Sequence, residues 1–193
     1  MAVCKLCGKK YNVWLAQGSG SGVCNECWPE YSKIEAEEKQ REARATLPVL
    51  FAQHVPGQKA KILGAAYWDT LGSGVATFGV QTVAGCLFGI FGWLLTGRRH
   101  RAGIIAVTDS DLFLVDLGIV VGEDLTLKEL RGAVVQPSVK KAPLRNLTAE
   151  CGSQAGVLIL KGELGVKATF PQSFEEENPS KATLIASAIH SHS

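Results

Sequence analysis

The chain has 193 residues, 46% of them hydrophobic and 20% charged, with a formal net charge of +2. That length suits one ordinary domain plus a small module, and the composition excludes a disordered chain. A net charge so close to zero gives no global argument for nucleic acid or for an acidic partner.

The opening MAVCKLCGKKYNVW has no apolar run, so no secretion signal is expected and the six cysteines are read as reduced, in the cytoplasm. Within residues 1–28 the spacing is C-x2-C, sixteen intervening residues, then C-x2-C. Two-residue spacing lets both thiolates of a pair face one ion from a tight turn, and Gly8 suits the bend after the first pair. Cys4, Cys7, Cys24 and Cys27 are therefore expected to hold one structural Zn2+ in a closed tetrahedral site. Iron in a four-thiolate cage is the chemical alternative. A disulfide or redox pair fits less well, because a redox C-x-x-C normally opens a helix inside a longer α/β unit. KKYNVWL reads as one strand of a short hairpin with GSGSG at its tip. Trp14 and Trp28 are expected to cover the site, since a module this small has no other core. Residues 1–28 resemble zinc ribbons, whose partners include nucleic acid and protein. Lys5, Lys9 and Lys10 form no dense basic stripe, so nucleic acid is the less favoured partner.

Residues 29–57 read as a spacer and linker. PEYSKIEAEEKQREARATLP has proline at its first position and Pro48 just past its expected end, and it is charged nearly all round. A solvated helix is expected, with Pro48 and Pro56-Gly57 marking the boundary of the next domain.

From position 58 to 193 short apolar runs alternate with turn residues. AKILGAAYW, AGIIAVT, DLFLVDL, GAVVQ, AGVLILKG and GVKATF each read as a strand. Asp109 and Asp111 could be a D-x-D metal pair, but in VTDSDLFLV they read as turn residues bonding the local backbone. At the C-terminal end, Leu184, Ile185, Ala188 and Ile189 fall on one helical face. The expected class is mainly β (α+β): a small antiparallel barrel closed by a C-terminal helix. On AGIIAVTDSDLFLVDL, GVLILKGELGVKATF and the final helix, residues 58–192 resemble the bacterial pleckstrin-homology-like domains. The resemblance implies a binding or assembly module without chemistry, able to form rings or to associate near membranes.

One segment departs from that family. A glycine-rich apolar insertion occupies 70–101, with no charged side chain from Thr70 to Gly97 and a closing cluster of Arg98, Arg99 and Arg101. As one helix its 28 uncharged residues would run about 42 Å, enough to cross a bilayer. Gly72, Ala76, Gly79, Thr82, Gly85, Gly89, Gly92 and Thr96 would then form a small-residue stripe suited to close helix packing. Against a simple span, the dense apolar part from Val83 to Leu95 is only 13 residues long. A single crossing would also put the thiolates and the arginine cluster on opposite sides. A segment that dips into a membrane, or packs against copies of itself, meets both objections.

No phosphate-binding loop, zinc-protease or serine-hydrolase motif occurs, and Cys86 and Cys151 read as small core residues. His54, His100, His190 and His192 are scattered, and surface placement explains each. The expectation is a non-enzymatic, homo-oligomeric adapter in the cytoplasm or at the cytoplasmic face of a membrane, with a membrane or membrane protein as its partner. The alternative is a nucleic-acid-associated regulator that reads through its ribbon.

Overall fold

A computed structural model describes residues 1–18, 20–70, 99–121, 125–132 and 137–192. The chain divides into two compact units, Met1–Glu42 and Ala43–Ser193. The division falls inside one helix, α1 (Trp28–His54).

In the first unit a two-stranded hairpin, β1 (Ala2–Val3) and β2 (Lys10–Tyr11), pairs Ala2 with Tyr11 and Val3 with Lys10. A 3-10 turn at Val13–Leu15 follows where a longer strand was expected. Its cause is local: the Asn12 side chain accepts the Trp14 N–H at 3.1 Å and caps the turn, ending the extended run. The first half of α1 is charged and largely exposed, as its sequence predicts.

The second unit is built on seven antiparallel strands. In chain order they are β3 (Ile62–Thr70), β4 (Arg99–Val107), β5 (Asp111–Val121), β6 (Ser138–Pro143), β7 (Leu147–Cys151), β8 (Val157–Gly162) and β9 (Val166–Thr169). Their order in the sheet is β6-β5-β4-β3-β9-β8-β7. Two meanders, β3 to β6 and β7 to β9, are therefore joined where β3 pairs with β9. The ladder ends at β6 and β7, and among the described residues no pairing joins these two edges. Two helices accompany the sheet, the short α2 (Leu127–Gly132) and α3 (Ser180–His190).

Both faces of the sheet are buried. On β5, Leu112 and Leu114 enter one core while Phe113, Val115 and Leu117 enter the other. That explains why LFLV is continuously apolar, since a strand covered on one side only would alternate with polar residues. The first core is completed by Ala182, Ile185, Ala186 and Ile189 of α3. Leu184, expected on that buried face, is instead 48% exposed. The second core is completed by Ala43, Leu47, Phe51 and Val55.

This second packing alters the reading of the connector. The helix passes through Pro48 and continues to His54. An interior proline costs roughly 3 kcal/mol because it removes one backbone bond and crowds the preceding turn. Burial of Leu47 and Phe51, at about 1.5–3 kcal/mol each, offsets that cost. The segment expected to be solvated linker thus supplies one wall of a core.

The sheet also constrains the uncharged insertion. β3 and β4 pair from Ile62↔Val107 to Trp68↔Arg101, so the chain leaves and re-enters the sheet at the same end of two neighbouring strands. A single bilayer crossing would separate those ends by about 30 Å, which this register does not permit. Residues 71–98 themselves, with their expected helix and small-residue stripe, lie outside the described residues, as does most of the GAVVQ strand. Among the described residues no helix is long and apolar enough to cross a membrane. Arg101 is engaged on the sheet, where it pairs with the Asp116 carboxylate.

Asn178 is fully buried and ties the 171–178 loop to the sheet, donating to the carbonyls of Ala65 at 2.8 Å and Pro171 at 3.0 Å. Asn178→Ala would strand both carbonyls and should cost about 2–4 kcal/mol in urea unfolding. The exposed Lys161–Glu150 pair, by contrast, should lose under about 1 kcal/mol in Lys161→Ala.

Candidate metal centre

The four cysteines sit on two tight turns. In the first, the Gly8 N–H donates to the Cys4 carbonyl at 3.0 Å and the Cys4 N–H to the Lys9 carbonyl at 2.9 Å. Gly8 has φ +71°, a left-handed conformation that a side chain would strain. In the second, the N–H groups of Cys27 and Trp28 both donate to the Cys24 carbonyl, at 3.1 and 3.0 Å, and α1 begins. A further bond from the Lys5 N–H to the Gly22 carbonyl at 3.0 Å holds the turns together.

All four Sγ atoms lie within 4.8 Å of one another. Those of Cys7 and Cys24 are 3.6 Å apart. A tetrahedral ion with metal–sulfur bonds of about 2.3 Å requires sulfur separations of about 3.8 Å, so the donor set fits one such ion. Cys4 and Cys24 are buried beside Val23, with Tyr11, Cys27 and Tyr31 packed against them. Four thiolates on one such ion would complete its tetrahedral shell and leave no position for water or substrate.

Without a cation the cluster holds its protons unevenly. The Cys24 backbone N–H donates to the Cys4 sulfur at 3.4 Å and is the main reason that thiol is drawn down to about 6. The Cys27 thiol is pushed up to about 12, first by its hydrogen bond with Cys7 and then by desolvation. Bound metal would replace these protons, so loading releases protons and acid favours metal loss.

The two tryptophans divide. Trp28 is half-buried, with its ring over Gly18 and 6.0 Å from the Tyr31 ring. Trp14, expected to cover the site, is 95% exposed. The turn that carries it is fixed to the second cysteine turn: Asn25 accepts the Gln17 N–H at 2.8 Å and donates to the Leu15 carbonyl at 3.0 Å. These two bonds close the Val13–Leu15 turn with Trp14 outward. Nothing in the C-x2-C spacing signals that clasp.

Away from the cluster, Asp109 and Asp111 have separate partners. Asp109 pairs with Lys61, whereas Asp111 accepts from the Ser110 hydroxyl at 2.7 Å and Lys141 at 3.1 Å. The serine bond, then the lysine, hold the Asp111 carboxyl below its usual range. Both aspartates lie where β4 turns into β5, but their side chains meet other side chains instead of the local backbone expected of them; it is the Thr108 hydroxyl that accepts the Asp111 N–H and donates to the Asp111 carbonyl, both at 3.2 Å. His100 departs from the surface placement expected of it. It is buried, with Nδ1 3.0 Å from the Asp69 carboxylate and its ring 4.9 Å from that of Tyr67. A lone histidine ahead of the AGIIAVT run carries no sign of which face it occupies; the β4 register turns it inward.

Fold and site together define a class: a module with four clustered cysteines placed as they would be around one metal ion, and a unit built on a seven-stranded antiparallel sheet. Comparison with protein-family models gives no match, and comparison with curated proteins gives no significant match.

Replacing Cys4, Cys7, Cys24 or Cys27 by serine should abolish metal retention, whereas Cys86→Ser and Cys151→Ser should keep one ion per chain by native mass spectrometry. Full retention in Cys4→Ser, or loss in Cys151→Ser, would show that the ligand set is drawn wrongly.

Proposed function

We propose that the chain is a non-enzymatic adapter: a structural zinc ribbon joined to a pleckstrin-homology-like domain that self-assembles or docks at a membrane. The metal reading rests on the closed set of four sulfurs, which suits Zn2+ in a role that contributes folding energy. The domain reading draws on the sheet, a four-strand and a three-strand meander followed by a C-terminal helix. Only the short Pro143–Leu147 connection separates β6 from β7, which favours a corner at which the sheet curls towards a barrel with α3 packed inside.

The observation that carries the docking reading is the β3–β4 register. Twenty-eight consecutive residues without a charge, Thr70 to Gly97, depart from and return to adjacent strands. A segment so tethered can enter an apolar phase without parting the two strands it joins. An uncharged run of this length left in water would expose Phe78, Leu87, Phe88, Phe91, Trp93, Leu94 and Leu95 together, a liability unless something covers them.

Vesicle flotation tests the reading. The full chain should float with anionic vesicles or elute as an oligomer, and deletion of 71–97 should return it to a soluble species of lower mass while metal content is unchanged. A soluble monomer whose behaviour the deletion leaves unaltered would refute the proposal.

A further inference from the structure

Of the ten large apolar side chains exposed among the described residues, six fall within the first fifteen positions: Met1, Val3, Leu6, Val13, Trp14 and Leu15. Trp14 at 95% and Leu15 at 73% exposure stand out, because burying an indole is worth more than burying almost any other side chain. They are not on a free loop. Asn12 caps their turn from one side and Asn25 clasps it from the other, so the ordering cost of presenting Trp14 is met before anything binds.

Beside this turn the same unit has an open cavity of about 270 Å³. That is slightly below the about 300 Å³ at which small-molecule sites begin, and it suits one bicyclic side chain better than a free ligand. Tyr11, Leu15 and Cys24 give it apolar wall, Asn25 and Glu26 give acceptors for an indole N–H, and Lys10 gives a cation for the ring face. Trp14 does not line it. Leu15 does, so knob and hole are neighbours on one small module.

We propose that the occupant of this cavity is Trp14 of a second copy of the chain, in a twofold arrangement where each indole fills the other's cavity. Adjacent knob and hole are what a self-complementary contact requires, since one operation satisfies both at once. Val3, Leu6 and Val13 supply the surrounding apolar area. Cys24, already buried, lines the cavity, so a partner's indole would add apolar cover over the turn that carries it. The inference rests on the self-assembly reading above and adds to it a contact made by the first unit.

Sedimentation equilibrium of the full metal-loaded chain in mild detergent, with and without Trp14→Ala, tests it. Truncation of a central anchor should weaken association at least about thirty-fold, while the variant retains one metal ion per chain. p-Benzoylphenylalanine in place of Trp14 should, on illumination, give a chain-to-chain adduct mapped to residues 9–26. Unchanged association in Trp14→Ala, or adducts only to detergent, lipid or the second unit, would overturn this contact and leave self-assembly standing. A chain monomeric at every concentration would end both.

Discussion

Four cysteine sulfurs held within 4.8 Å cannot all be thiolates unless something positive lies among them. Two unit charges 4 Å apart repel by about 4 kcal/mol at the effective dielectric of a protein surface. The six pairwise terms together exceed the roughly 5–15 kcal/mol that holds a whole domain. Protons or a cation must settle the cluster, and the Cys27 thiol, pushed up to about 12, shows the proton solution. A divalent ion replaces that strained sharing with four equivalent bonds. Most of what orders the first unit follows from it, because among its described residues the buried apolar cluster is only Val23, Cys4 and Cys24, with Tyr11, Cys27 and Tyr31 partly covered against it.

The second unit has a different organising element. β3 pairs with β4 on one side and β9 on the other, so its pairing with β9 joins the two meanders. At the β4–β5 bulge, a Cβ on Gly103 would lie 1.9 Å from the Val115 carbonyl oxygen, so the close approach there needs glycine. Near the same end, His100 meets Asp69 on one face and Arg101 meets Asp116 on the other. The point from which the uncharged segment departs is therefore braced by paired groups, and whatever that segment contacts is referred back to a fixed root.

Much of this was legible in the residues, and the failures have physical causes. The C-x2-C spacing located all four clustered cysteines because a tight turn is a local geometry. Apolar runs located β3, β4, β5 and β8, since burial on both faces leaves long unbroken signals, and the short alternation of VKAT located β9. β6, SVKKAP, went unread: its first four residues are exposed, and Lys140 and Lys141 break any alternation. β7, LTAEC, alternates only weakly, through buried Leu147 and Ala149, with residues of modest strand preference. The helix stop at Pro48 failed because burial of Leu47 and Phe51 is a tertiary term that a local breaker rule omits. Trp14 failed for the opposite reason: two asparagine side chains, not its own apolarity, decide where it points.

The central claim is the closed four-sulfur site, and X-ray absorption at the edge of the bound metal tests it most directly. The account requires four sulfur scatterers at about 2.3 Å and no lighter atom in the first shell. Nitrogen or oxygen in that shell, or fewer than four sulfurs, would contradict it.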